Sequence, residues 1–291
     1  MSSLLLDEAF LKKLANLKFI TRRHFFGQLG GWSSPRAGVS LEFAEYREYH
    51  PGDDFRYVDW NLYGRLDKLF VKVFSREEDI PIYVVLDTSH SMSLGQPPKL
   101  QYATRLAAAL CYLGIKDLNR VGIFPFARNL AAGVAPRGGS AQLHAAFNFL
   151  RQTTPGGETS INGALESFAK LRLENGLVLL VSDMLSEAGY REGLAHLLYK
   201  GHEVAVLQVL SAEDVDPKIA GESRLLDSEL TNERGLQVSS SAVRAYKEEV
   251  RRYVVNLKEF CQSHRIEHAL ISTATPLEQL IFQNLRGVLF R

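Results

Sequence analysis

Two cysteines in 291 residues are too few for a scaffold stapled by disulfides. Cys111 and Cys261 stand alone in segments that read as helix, without metal or redox spacing, and predict buried packing in a reducing compartment. Neither sign of charge is in excess: 34 basic against 33 acidic residues give a formal net charge of +1. Binding to nucleic acid or to an anionic membrane draws on a basic surplus or stripe, so neither is expected. Long apolar runs are missing as well. The longest, Leu177 to Val181, is strand-sized, against the ~20 residues of a membrane-spanning helix. Leu4-Leu5-Leu6 runs straight into Asp7 and Glu8, which a secretory leader would not do. The expectation is a cytoplasmic chain with no membrane insertion. Enzyme signatures are scarce too. There is no G-x-x-x-x-G-K-[ST] phosphate loop and no G-x-S-x-G elbow.

What is present is a regular alternation. From residue 81 onward, Ile82 to Leu86, Val121 to Phe126, Leu177 to Val181, Val204 to Leu210 and Glu267 to Ser272 read as strands. Between them, Lys99 to Lys116, Ala141 to Leu150, Asn162 to Leu171, Glu187 to Tyr199 and Ala242 to Gln262 read as helices, with a closing helix from Pro276. Asn129 to Ala135 is expected to pair back as a hairpin, and Arg224 to Ser240 to form an insertion with a hairpin around Asn232. This order predicts an α/β, Rossmann-like fold: a mostly parallel, doubly wound sheet with helices on both faces. Residues 1–79 differ in texture. Leu6, Phe10, Leu14 and Leu17 recur at helical spacing, Ser40 to Tyr49 alternates like an exposed strand, and His50-Pro51-Gly52-Asp53-Asp54 signals a turn. They are expected to form a smaller N-terminal α/β segment before a main domain over 80–291.

Five residues carry the chemistry. Asp87, Ser89 and Ser91 form D-x-S-x-S directly after a buried strand, Thr159 lies in a Gly-Gly-Glu-Thr loop before a helix, and Asp183 ends a second strand. In open α/β sheets, functional groups collect outside the carboxyl ends of the strands, so both aspartates are expected at one edge. Two carboxylates and three hydroxyls make an oxygen-only set suited to Mg²⁺ or Mn²⁺, which keep several waters and take one or two carboxylates. Such a set leaves the ion under-neutralised and able to accept a carboxylate from a partner. The plain alternative is a strand-to-helix turn capped by Ser and Asp.

The set resembles the metal-ion-dependent adhesion motif of von Willebrand factor A-like domains, over roughly residues 80–285. The context Gly156-Gly157-Glu158-Thr159, followed by Ala164-Leu165, fits the same pattern. Upstream, Glu42-Phe43, Glu45, Arg47, Tyr49, Pro51-Gly52-Asp53-Asp54, Arg56, Asp59-Trp60, Arg65 and Val71-Lys72 resemble the signature of the bacterial domain-of-unknown-function family 58. The resemblance implies fusion of that segment to a von Willebrand factor A-like domain and a role as adaptor or co-chaperone of a MoxR-type AAA+ ATPase or its client. It therefore implies a non-catalytic, protein-binding module, whose partner offers an Asp or Glu.

Other readings are weighed against these. A metal-dependent hydrolase or phosphatase using the same cation is the alternative, but a haloacid-dehalogenase-like enzyme needs an acid two positions after Asp87, where Ser89 stands. His90, inside the motif, is a candidate partner contact. Arg47, Arg56, Asp59 and Arg65 are read either as a partner surface or as an ion-pair network that fixes the N-terminal segment. His264-Arg265-Ile266-Glu267-His268 matches H-x-x-E-H in letters, but the helix is expected to end near Ser263, which would separate the two histidines.

Overall fold

The structure, a computed structural model, describes residues 5–19, 41–76, 80–217, 224–226, 233–235 and 240–290. In chain order its elements are α1 (Glu8–Leu14), β1 (Leu41–Glu48), α2 (Trp60–Leu66), β2 (Phe70–Arg76), β3 (Pro81–Asp87), α3 (Lys99–Lys116), β4 (Arg120–Phe126) and β5 (Val134–Arg137). Then follow α4 (Ser140–Gln152), α5 (Ile161–Ala169), β6 (Leu177–Ser182), α6 (Arg191–Tyr199), β7 (Glu203–Leu210) and the single turn α7 (Ala212–Val215). The short pair β8 (Arg224–Leu226) and β9 (Glu233–Gly235), α8 (Ser240–Ser263), β10 (Glu267–Ser272) and α9 (Leu277–Gln279) complete the set. The chain divides into two compact units, one of residues 22–79 and one of everything else.

The larger unit is the α/β, mostly parallel, doubly wound sheet that the alternation predicts. Its strand order is β10-β7-β6-β3-β4-β5, parallel throughout except for the edge strand β5. Both faces are covered, which is why β3 and β6 are apolar up to their last residues, Asp87 and Ser182, and buried at every residue. Alternate side chains go to opposite cores. Ile82, Val84, Leu86, Leu179 and Leu207 pack with Leu106, Leu110 and Leu113 of α3. Tyr83, Val85, Val178, Leu180 and Val206 pack with Phe168 of α5, Leu194 of α6 and Leu257 of α8. The chain runs from β3 to β4 on one side, and β6, β7 and β10 are laid down on the other. The carboxyl ends of β3 and β6 therefore flank the point where the winding reverses, the place where such sheets form a crevice.

Two expectations shift. The first 21 residues group with the larger unit rather than with the segment that follows, because α1 turns Phe10 and Leu14 into the core beside α3. The helix expected from Glu187 starts only at Arg191, since Gly189 takes a positive φ of 72° and its N–H closes a turn on the Ser186 carbonyl. After Pro276, α9 is a short piece that passes into a π-helical turn, Leu280–Asn284. The insertion carries the expected antiparallel pairing, between β8 and β9, while Asn232 itself lies outside the described residues. So do Arg22-Arg23-His24 and Gly30-Gly31.

The smaller unit holds β1 and β2, antiparallel with a bulge between Phe43 and Glu45, and α2 between them. Asp59 caps α2 by accepting from the Asn61 and Leu62 N–H groups.

Candidate functional site

Asp87 is the last residue of β3 and Asp183 directly follows β6, so the paired strands place both carboxylates at the switch point. Both are fully buried. The chain leaves β3 through Thr88 into a 3₁₀ turn, His90–Ser93, with Ser89 at its start. The Ser89 N–H donates to Asp87 Oδ1 at 2.9 Å, and Ser182 Oγ donates to Asp87 Oδ2 at 2.6 Å. Ser89 and Ser91 hydroxyls lie 3.1 Å apart, and Ser91 Oγ donates to Asp183 Oδ2 at 2.7 Å. Four of the five expected ligands thus form one continuous hydrogen-bonded chain.

The fifth, Thr159, is buried on the neighbouring loop. That loop is stitched to the first by backbone: Gly156 N–H donates to the Thr88 carbonyl at 2.7 Å, and His90 N–H to the Gly157 carbonyl at 3.0 Å. Gly157 has a φ of +85°, a conformation that side-chain-bearing residues rarely adopt, which accounts for the second glycine of the pair. Ser160 N–H then reaches the Ala127 carbonyl just beyond β4, fixing the start of α5. His90 is exposed beside these loops.

Asp87 has an unusual balance. Burial first, then the charge of Asp183, push its carboxyl pKa upward, and the hydrogen bonds from Ser182 and Ser89 offset only part of this. Among the described residues, no ammonium or guanidinium is paired with it. Asp183 is different: Lys99 Nζ donates to its Oδ2 at 2.8 Å and reaches Asp214 of α7 at 3.1 Å. Lys99 is itself completely buried. Burial alone would draw its pKa down, but Asp183 and Asp214 outweigh that and hold it above the ordinary lysine value. Around Asp183 the frame is tight: its Oδ1 accepts from Leu185 N–H, its carbonyl accepts from Gln208, and Tyr253 of α8 donates to the Met184 carbonyl.

The donors present fit a hard divalent cation. They are all oxygen, and one of two buried carboxylates lacks a compensating charge. No group of three or more His, Cys, Asp or Glu side chains gathers among the described residues, so a nitrogen- or sulfur-rich site of the zinc kind is not found there. His264 follows α8 and stacks on Phe260, whereas His268 lies in β10 beside Gln208, so the H-x-x-E-H letters do not share a helix face. Cys111 and Cys261 are free and buried, with thiol pKa values pushed up to about 12 by desolvation.

In the smaller unit the charged residues pair locally. Arg47 bridges to Asp53 at 2.8 Å, Arg56 to Asp54 at 2.6 Å, and Asp59 takes Lys72 at 3.0 Å and the Tyr46 hydroxyl at 2.9 Å. Arg65 is exposed. Asp59, named with these arginines as a contact candidate, is instead a buried cap held well below the usual carboxylate range, at about 2, by Lys72, Tyr46 and the Leu62 N–H. Sequence reasoning missed Lys99, Ser182, Gln208 and Asp214. Only Lys99 left a trace, a cation at the start of a long apolar helix, where the helix dipole disfavours it.

The family model described as "Protein of unknown function DUF58" matches residues 45–254. Similar curated proteins include the uncharacterized proteins Rv1480 of Mycobacterium tuberculosis and Mb1516 of Mycobacterium bovis, each 26% identical over 198 residues. Each match covers 66% of this chain and 62% of the relative, so the chain spans less than two thirds of their length. Among solved structures, BatB from Bacteroides thetaiotaomicron is 19% identical at a TM-score of 0.45, covering 72% of this chain and 98% of that one. The vWF domain of the pilus tip protein Mfa5 from Porphyromonas gingivalis is 19% identical at 0.30, covering 38% and 40%. No helix of the described residues is long and apolar enough to cross a membrane.

Proposed function

This chain belongs to the DUF58 family, and from that premise we propose that it is a non-catalytic, divalent-cation-dependent protein-binding module of the von Willebrand factor A type. The observation that carries the reading is the buried run of hydroxyls and carboxylates from Asp87 through Ser89 and Ser91 to Asp183, at the switch point of the sheet. Asp87, Ser89, Ser91 and Asp183 would hold Mg²⁺ or Mn²⁺, with Thr159 contributed by the adjoining loop. When bound, the ion supplies an electrophilic position that a partner's Asp or Glu carboxylate can fill. The chain's own part is to hold the donors still: Ser182 and the Ser89 N–H orient Asp87, and Lys99 and the Leu185 N–H orient Asp183. Exposed His90 borders the approach, and Arg47, Arg56 and Arg65 offer a second contact surface on the smaller unit.

The partner, by resemblance to the family, is a MoxR-type AAA+ ATPase or its client in the cytoplasm. Titration of Mn²⁺ into the wild type and Asp87→Ala/Asp183→Ala, read by electron paramagnetic resonance with Mg²⁺ as competitor, tests the site. One site that Mg²⁺ displaces and the variant lacks is the expected result; equal behaviour of the two proteins would overturn it. Partner capture that survives chelation would remove the cation from the binding step. Phosphatase activity lost in Asp87→Ala would move the chain to the hydrolases.

A further inference from the structure

Lys99 is the least expected residue in the larger unit. It occupies the first turn of an 18-residue helix, the end at which the helix dipole repels a cation. Its side chain is fully desolvated, which for an isolated ammonium is prohibitive. Two carboxylates from different strand ends converge on it, Asp183 after β6 and Asp214 after β7. Asp214 is itself fixed, because it forms a reciprocal cap with Ser211: Ser211 N–H donates to its Oδ2 at 2.8 Å, and its own N–H donates to Ser211 Oγ at 3.2 Å. The loop that leads into α3 is pressed against the same serine. A Cβ at Gly95 would stand 2.6 Å from the Ser211 Cβ, so only glycine lets the loop come this close. Sequence and backbone thus both place one ammonium beside the second aspartate of the site.

Building on the cation-binding reading above, we propose that Lys99 is the site's tethered resident cation. In the metal-free protein it provides the positive charge that the carboxylate cluster requires, so the module stays folded without an ion. The same charge lowers the site's affinity for a divalent cation, which then depends on a partner carboxylate for firm retention. Two like-signed groups around one carboxylate oppose each other, and burial makes that opposition strong. Asp214 moderates it: as the second counter-ion of Lys99, it offsets part of the ammonium's field.

The test compares the full chain with Lys99→Met and Asp214→Asn, using Mn²⁺ alone as the probe. Lys99→Met should melt lower than wild type in EDTA. It should also bind Mn²⁺ at least tenfold tighter and gain more thermal stability from Mn²⁺ than wild type gains. Asp214→Asn should do the opposite, weakening Mn²⁺ several-fold while Lys99 keeps Asp183. If Lys99→Met does not fold, the Asp214→Asn arm decides alone. Mn²⁺ bound by wild type but no more tightly by Lys99→Met would overturn the proposal and leave the cation site standing. Unchanged affinity in Asp214→Asn would overturn it as well. Mn²⁺ ignored by wild type and both variants would end both readings together.

Discussion

The two units of this protein handle the same chemical groups in opposite ways. In the smaller unit, Arg47–Asp53 and Arg56–Asp54 are short-range pairs whose arginines face water. In the larger unit, Asp87, Asp183, Lys99 and three serines are buried together where β3 and β6 end. Solvent screens the first kind of pair and makes each one nearly dispensable. Desolvation makes the second kind interdependent: no member can be removed without stranding another. A shared alphabet of Asp, Arg and Lys therefore says little about energy until burial is known.

The comparison can be broken most directly at Asp183. Asp183→Ala strips Lys99 of one buried counter-ion, which should cost about 3–5 kcal/mol of stability in chemical denaturation. A cost no larger than that of Asp53→Ala would erase the contrast between the units. Ser91→Ala removes the hydroxyl that links Ser89 to Asp183 and should cost about 1–3 kcal/mol as a lost buried hydrogen bond, with weaker Mn²⁺ binding alongside. Asp59 tests the contrast through pH, because it is a buried, paired carboxylate within the smaller unit. Its folded pKa of about 2 lies below the ordinary 3.8, so its stabilisation is present above the ordinary value and is lost as pH falls through the folded one. The carboxyl carbon of Asp59, followed by nuclear magnetic resonance, should titrate near 2, and a midpoint near 3.8 would deny it the Lys72 and Tyr46 contacts. The smallest effect belongs to Arg56→Ala, which should leave the melting temperature unchanged within error.

Much of this arrangement is legible in the letters, for physical reasons. A strand buried on both faces is driven to be apolar along its length, so Leu177 to Val181 announces itself. D-x-S-x-S is legible because it sits directly after such a strand. The helix Lys99–Lys116 is readable to its ends by its apolar content. What stays hidden depends on the third dimension. Ser182 looks like the polar end of a strand, yet its hydroxyl reaches Asp87. Asp214 looks like an ordinary cap, yet it shares Lys99 with Asp183, which follows the neighbouring strand β6. The grouping of α1 with the larger unit is equally invisible, since an amphipathic helix does not state which core receives it.

That grouping has a consequence for how distant stretches of the sequence depend on each other. Phe10 meets Phe282, Phe19 pairs with Phe290, and Lys13 Nζ donates to Glu278. The stretch around α1, already packed beside α3, is therefore also fastened to residues far along the sequence, Lys13 and Glu278 being 265 positions apart. That fastening makes the ordering of α1 and of residues 277–290 a single event: what loosens one loosens the other.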